Sequence, residues 1–376
     1  GLVKDNTDLA VLHASKIDDV ATARYAIQEG KVDLVGMTRA HMADPHIVLK
    51  VIEEREEQIR PCVGATFCLD GIYENGEALC VHNAATGREA IMPHKVFPAE
   101  KHRRIVVIGA GPAGLEAARV AGERGHDVTV FEAMPKAGGQ IALTVRNKRR
   151  QDFQGVVDWR LAELERLGVE ILYDQIAEVQ DITVLEPDVV VIATGGLPQI
   201  PALEYGTELA VTSWDVLSGE VTPQGNVLLY DDNGTHSALS TAEIIAQSGA
   251  NLEIVTPERM LGIDIGGVNH VPYARAFNET DTRITLNQRV VSVSKENDQL
   301  LVELGSDHSP HRTKRTVDCF VVDHGTLPNA DLYFNLKSLS CNQGEVDHTA
   351  LLDGQPQPCF EKEQESFALY RIGDAV

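Results

Sequence analysis

Residues 103–133 read RRIVVIGAGPAGLEAARVAGERGHDVTVFEA, and this stretch decides the fold. An apolar run at 105–108 leads into a glycine turn, then a segment of helical spacing, then a second apolar run. That order predicts strand, turn, helix, strand. Gly109, Gly111 and Gly114 form G-x-G-x-x-G directly after the first strand, with Pro112 and Ala113 opening the helix. The pattern alone is weak, but between a strand and a helix each glycine has a purpose. Gly109 permits the tight turn, Gly111 lets backbone approach a pyrophosphate, and Gly114 lets helix and strand pack closely. The helix N-terminus offers unpaired N–H groups and partial positive charge to phosphates. Glu132 ends the next strand, where its carboxylate can accept both ribose hydroxyls. On the competing reading the glycines only turn a tight corner.

Further along, Gly139 and Gln140 belong to "GGQ", Thr194 and Gly195 to "VIATGG", and Asp374 to "IGDA" near the end of the chain. This set resembles the two-dinucleotide layout of flavoprotein disulfide reductases, in which the first such domain holds FAD. The resemblance implies an FAD-type site occupied by FAD or by ADP alone, with Asp374 near a ribityl chain.

A second strand–turn–helix–strand unit, GNVLLYDDNGTHSALSTAEIIAQSGANLEIVTPE, fills residues 225–258. Where a glycine turn would receive pyrophosphate it has Asp231, Asp232, Asn233, Gly234 and Thr235. Carboxylates beside a helix N-terminus compete with phosphate for its N–H groups and repel its charge, by about 1–4 kcal/mol near a surface. The turn is therefore expected to reject NADH. Either the fold survives there as scaffold or it takes another nucleotide in a different way. His236, beside this turn, reads as a solvated loop residue.

Upstream, residues 8–52 alternate strand, helix, strand, helix, with Asp44 expected to cap the second helix and Pro45 at its first position. Two βα units suit a parallel sheet or barrel but cannot close one. Between them and residue 103 lies RPCVGATFCLDGIYENGEALCVHNAATGRE, residues 60–89, with three of the six cysteines. Cys62, Cys68 and Cys80 are spaced like metal ligands. Cys319, Cys341 and Cys359 are scattered, and Cys319 reads as core. No His-x-x-x-His spacing indicates zinc.

The chain has 376 residues, enough for two or three domains, with 43% hydrophobic and 24% charged residues. A formal charge of −23 argues against a nucleic-acid partner. No apolar run approaches the roughly 20 residues of a membrane span. Clustered rather than paired cysteines suit a reducing compartment, so the expectation is cytoplasmic. The chain opens on Gly1 and stops at "YRIGDAV", and both ends read as cut.

The order of barrel end, cysteine loop, FAD-type domain and degenerate second domain resembles the iron–sulfur flavoenzymes of the old yellow enzyme class. That family includes trimethylamine dehydrogenase and 2,4-dienoyl-CoA reductase. The resemblance covers the whole chain, which would be the family's C-terminal part, nearest to its N-demethylating amine dehydrogenases. It implies an α/β fold in four parts. Residues 1–55 would be the last two units of an FMN-bearing (β/α)8 barrel, and 56–102 the cluster-type loop and linker. Residues 103–215 with 318–376 would bind FAD or ADP, and 216–317 would be the degenerate NAD-type domain. By this match Ala14, Ser15, Gly36, Thr38 and Arg39 would contact FMN phosphate, though Thr38 stands where relatives often have glycine. The family's cluster loop has a cysteine where this chain has Ala65. Three thiolates could hold a three-iron cluster, or a four-iron one completed by water or another side chain, with His82 and Asp70 nearby. The alternative is a cluster-free structural loop.

The resemblance further implies a flavin-dependent oxidoreductase. The acidic second turn favours oxidative N-demethylation of a small methylated amine or N-methyl amino acid, with electrons passed to electron-transferring flavoprotein or a similar acceptor. The competing readings are an NAD(P)H-dependent enoate or dienoyl-CoA reductase, and an incomplete electron-relay fragment. No residue is assigned a catalytic role, because the family's substrate cage lies on earlier barrel strands. Related barrels commonly pair, so a homodimer is expected.

Overall fold

The computed structural model describes residues 2–358 and 366–376, so Cys359 lies outside the described residues. Near its start, β1 (Leu12–His13) and β2 (Leu34–Val35) pair in parallel. They are joined by α1 (Val20–Gln28), whose N-cap Asp19 accepts the Thr22 N–H. Two short helices follow, α2 (Thr38–Ala43) and α3 (Ile47–Ile52). Asp44 is not the cap of the last of these helices, although its sequence position suggests one. The last helix begins at Ile47, and Asp44 spends its carboxylate on the His46 and Arg60 N–H groups and on Lys50 Nζ. Parallel strands are normally covered on both faces, yet Leu12, Leu34, Val48 and Ile52 are exposed and α1 buries no residue. The cysteine loop then forms α4 (Phe67–Asn75).

From residue 104 the chain alternates. The first series is β3 (Arg104–Ile108), α5 (Pro112–Glu123), β4 (Asp127–Phe131), α6 (Ile141–Thr144), α7 (Gln154–Leu167), β5 (Glu170–Leu172), α8 (Val179–Thr183), β6 (Val189–Ile192) and β7 (Gly196–Pro198). The second is β8 (Val211–Thr212), α9 (Ser213–Ser218), β9 (Asn226–Asp231), α10 (His236–Gln247), β10 (Asn251–Val255), α11 (Gly267–Glu279), β11 (Arg283–Thr285), β12 (Arg289–Glu296), β13 (Gln299–Ser306), β14 (Ser309–Val317) and β15 (Cys319–Asp323). The chain returns through β16 (Thr326–Pro328), α12 (Asp331–Lys337), α13 (His348–Leu352) and β17 (Ala368–Arg371).

Two parallel five-stranded sheets result, in the orders β17-β6-β3-β4-β5 and β11-β10-β9-β15-β8. Each is buried on both faces, which explains the unbroken apolar runs read in the sequence. On β3, Ile105 and Val107 pack with Leu115, Val157 and Leu164 of α5 and α7, while Val106 and Ile108 pack with Ile182, Leu336 and Leu369. On β9, Val227 and Leu229 face α10 and α11, while Leu228 and Tyr230 face the antiparallel sheet β12-β13-β14. Each fully buried side chain of this size contributes about 1.5–3 kcal/mol.

The domain limits differ from those expected at 215/216 and 317/318. β8 and β15 belong to the second sheet, because Phe320, Val321 and Val322 complete its core beside β9. The crossing between sheets is made by the antiparallel pair β7 and β16.

Candidate functional site

The first glycine turn closes as its pattern demands. Gly109 has φ +103°, and a Cβ there would lie 2.3 Å from the Ala193 carbonyl oxygen. A Cβ on Gly114 would lie 1.9 Å from the Gly109 carbonyl oxygen, so this position is packing alone. Gly111 is different. Its Cβ would meet nothing nearer than Gly139 Cα, at 4.0 Å, so the turn presents bare backbone to open space. Gly111 caps α5 and Pro112 holds its first position, leaving the first N–H groups of a twelve-residue helix directed at that space.

The remaining residues of the set converge here. Glu132 is buried, and its two oxygens accept the Ala110 N–H (2.7 Å) and the Met134 N–H (2.8 Å), leaving each a further acceptor position. Gln140 Nε2 donates to Asp374 Oδ2 at 2.6 Å across 234 positions of sequence. Gly373, φ +63°, lies against Ala113, where a Cβ would come within 2.9 Å of the Ala113 Cβ. Thr194 Oγ1 donates to the Asn329 carbonyl (2.5 Å), and the Asn329 N–H donates to the Gly195 carbonyl, which ties these two to the β7–β16 crossing. A cradle of bare glycine backbone, a helix N-terminus and an anchored carboxylate fits the ADP half of a dinucleotide.

The second turn is filled from within. Asp231 is fully buried, and its Oδ1 accepts the N–H groups of Asn233 (3.1 Å) and Gly234 (2.8 Å), the groups a phosphate would need. Burial, with Asp323 and Asp232 close by, pushes its carboxyl up to about 7. Occupation of those N–H groups therefore obstructs phosphate as much as charge does. Asp232 accepts from His324 Nδ1 at 2.5 Å, while Asp323 accepts from Asn233 Nδ2 (2.9 Å) and Ser213 Oγ (2.7 Å). His236 corrects the sequence reading: it is half-buried at the start of α10, with its Nδ1 accepting from Arg150 at 2.9 Å. Burial and the Arg150 charge lower it to about 4.

Cys62, Cys68 and Cys80 line one cavity with Arg39, Ala65 and His82. Burial raises the Cys62 and Cys68 thiols, and Arg39 opposes it. Arg39, expected at phosphate, thus also faces the thiols. Gly36 lies against Ala14, where a Cβ would come within 2.8 Å of the Ala14 Cβ, so the ends of β1 and β2 are brought together. Ser15 follows β1 and Thr38 begins α2. Among the described residues no three His, Cys, Asp or Glu side chains converge on one metal ion. A cluster makes a different demand, because it spreads its ligands over several irons. His82 is buried, with Nδ1 donating to the Pro61 carbonyl at 2.9 Å and Nε2 lacking a partner among the described residues. Burial, then Arg160, lowers it to about 3. Asp70 is engaged elsewhere: it accepts from Asn269 Nδ2 (2.8 Å) and the Val268 N–H (3.3 Å) at the start of α11. Cys319 is half-buried in β15, and Cys341 is disulfide-bonded rather than free.

Several supporting residues carry no sequence motif. Glu116 of α5 gathers Arg119 (2.7 Å) and Arg160 (2.8 Å) beneath the cysteine loop, and Arg60 stacks 4.3 Å from the Trp159 ring. Burial would raise Glu116, but the Arg119 hydrogen bond and the Arg160 and Arg60 charges hold it below the usual range. Asn269 Nδ2 also donates to the Ala65 carbonyl at 3.1 Å, and its Oδ1 accepts from Arg150 at 3.2 Å. Arg149 pairs with Glu243 of α10 through Nε at 2.9 Å. Apart from the Glu116–Arg119 pair, three positions apart on one helix, sequence spacing could not expose these contacts, since their partners lie 44 to 204 positions apart.

The family description "Pyridine nucleotide-disulphide oxidoreductase" matches residues 103–351, and in a further alignment 81–162. The chain is 50% identical over 376 residues to the "Probable N-methylproline demethylase" of Rhizobium meliloti (strain 1021), covering 100% of this chain and 56% of that protein. It is 40% identical over 387 residues to the N,N-dimethylglycine/sarcosine dehydrogenase of Chromohalobacter salexigens, with the same coverages of 100% and 56%. A solved 2-naphthoyl-CoA reductase complex shares the fold with a TM-score of 0.82 at 25% identity, over 99% of this chain and 52% of that one. The chain spans about half the length of the relatives it matches.

Proposed function

Because this chain belongs to the pyridine nucleotide-disulphide oxidoreductase family, we propose that it forms the nucleotide-binding part of a flavoprotein that oxidatively demethylates a small methylated amine or N-methyl amino acid. The demethylase and dehydrogenase relatives support the substrate class. The observation that carries the direction of electron flow is the second turn, whose N–H groups Asp231 already occupies. A reductase drawing on NADH would need those groups for pyrophosphate. The fold alone does not choose, since a 2-naphthoyl-CoA reductase shares it.

Bound flavin would supply the acceptor for a hydride from the N-methyl carbon, and an iron–sulfur centre a one-electron relay. The substrate is left as an iminium, which water hydrolyses to formaldehyde and the demethylated amine. Two electrons then leave for an external carrier such as electron-transferring flavoprotein. In this chain Gly111 and Gly139 admit the pyrophosphate of FAD or ADP, Glu132 receives the ribose, and Gln140 with Asp374 borders the remainder. Cys62, Cys68 and Cys80 would hold the cluster. Ala14, Ser15, Gly36, Thr38 and Arg39 would approach FMN phosphate, with residues 1–55 as part of a barrel that covers their exposed apolar face. Cytoplasmic location and pairing of two copies complete the reading.

Anaerobic stopped-flow reduction of the full-length protein tests it. N-methylproline or dimethylglycine should bleach the flavin within seconds and release formaldehyde, while NADH should not. Rapid bleaching by NADH with none by either amine would overturn the proposal.

A further inference from the structure

One residue lining the cysteine cavity carries a buried nitrogen without a partner among the described residues. His82 is 2% exposed, lines the cavity beside the three thiols, and has a buried Nε2 with no hydrogen-bond partner among the described residues. Its Nδ1 stands 2.9 Å from the Pro61 carbonyl, which can only accept. The ring proton therefore sits on Nδ1, and Nε2 carries a lone pair. Leaving such an acceptor buried and unmatched is costly, and native proteins keep few of them. A histidine whose one nitrogen donates to a backbone carbonyl while the other is free has the tautomer and orientation typical of metal ligands. The His82 backbone N–H also donates to Cys80 Sγ at 3.4 Å, which holds the two residues together.

Resting on the iron–sulfur reading above, we propose that His82 Nε2 supplies the fourth ligand of a four-iron cluster, in place of the thiolate missing at Ala65. The other nearby candidate, Asp70, already holds Asn269 and the start of α11. Replacing a thiolate by neutral imidazole removes one negative charge from the cluster. Its reduction potential should therefore lie above that of a four-thiolate centre, as histidine ligation raises the potential of other clusters. It should also be lost more readily to oxygen.

The test uses the full-length flavoprotein purified without oxygen, with iron and sulfide analysis and pulsed EPR of the reduced centre. The wild type should hold about four irons per chain and show nitrogen-14 coupling from a ligating imidazole. His82→Ala should lose that coupling and most of the iron. Ala65→Cys should keep the iron, lose the coupling and lower the potential, and it gives a readout even if His82→Ala fails to fold. A three-iron signal in the oxidised wild type, or four irons without nitrogen coupling, would overturn this assignment alone. Complete absence of iron would overturn it together with the cluster reading.

Discussion

Gly111 and Gly114 stand three positions apart and should fail in opposite ways. Gly114→Ala drives a Cβ to 1.9 Å from the Gly109 carbonyl, so helix and strand must separate. Thermal melting should show a loss of about 1–3 kcal/mol, the usual range for overpacking. Gly111→Ala meets only open space. Its melting point should hold in nucleotide-free protein, while affinity for ADP measured by calorimetry falls at least about tenfold, equivalent to about 1.4 kcal/mol. Asp231 carries a second residue-level expectation. Its carboxyl, ordinarily at 3.8, is raised to about 7. Between those values the native state keeps a proton that the unfolded chain has lost. Stability should therefore fall as pH rises from about 4 to about 7 and level off above, by up to about 4 kcal/mol. Asp231→Asn, which can still accept both turn N–H groups, should remove that slope in denaturant titrations across pH. A slope that persists in the variant would assign it to other groups.

At the scale of elements, strands and helices with one clear period were legible, and elements defined by distant partners were not. The runs at 104–108 and 226–231 became β3 and β9 because both faces of a parallel strand are buried, which the unbroken apolar sequence states directly. The α2 helix and the displaced start of α3 were missed because Asp44 finds Lys50 and Arg60 instead of capping a helix. The gathering of Gln140 with Asp374 was legible only through resemblance, since nothing local links positions 234 apart. In the charge cluster under the cysteine loop, spacing could show only the helix pairs of Arg119 with Glu116 and Glu123, and nothing local pointed to Arg60 or Arg160. Glu116 there neutralises guanidinium groups of Arg60, Arg119 and Arg160. Glu116→Gln should leave Arg160 without its carboxylate, while Arg119 keeps Glu123, and cost about 3 kcal/mol, the low end for a broken buried pair because Glu116 is partly exposed. Denaturant unfolding measures this, and a variant as stable as wild type would show that water reaches the cluster.

The whole molecule joins two similar sheets with different fates. One corner, at Gly109–Gly114, leaves bare backbone and helix N–H groups facing open space; the other, at 231–235, has turned its N–H groups onto its own carboxylate. Between them, Arg149, Arg150 and Asn269 tie the first sheet's helices, the cysteine loop and the second domain into one polar seam. The most direct test of this asymmetry is an experimental structure of the full-length protein soaked with millimolar ADP and NADH together. Density for an adenosine diphosphate group should appear at 109–114, and none at 231–235. Nicotinamide dinucleotide seated at the acidic turn would contradict the account and reverse the proposed direction of electron flow.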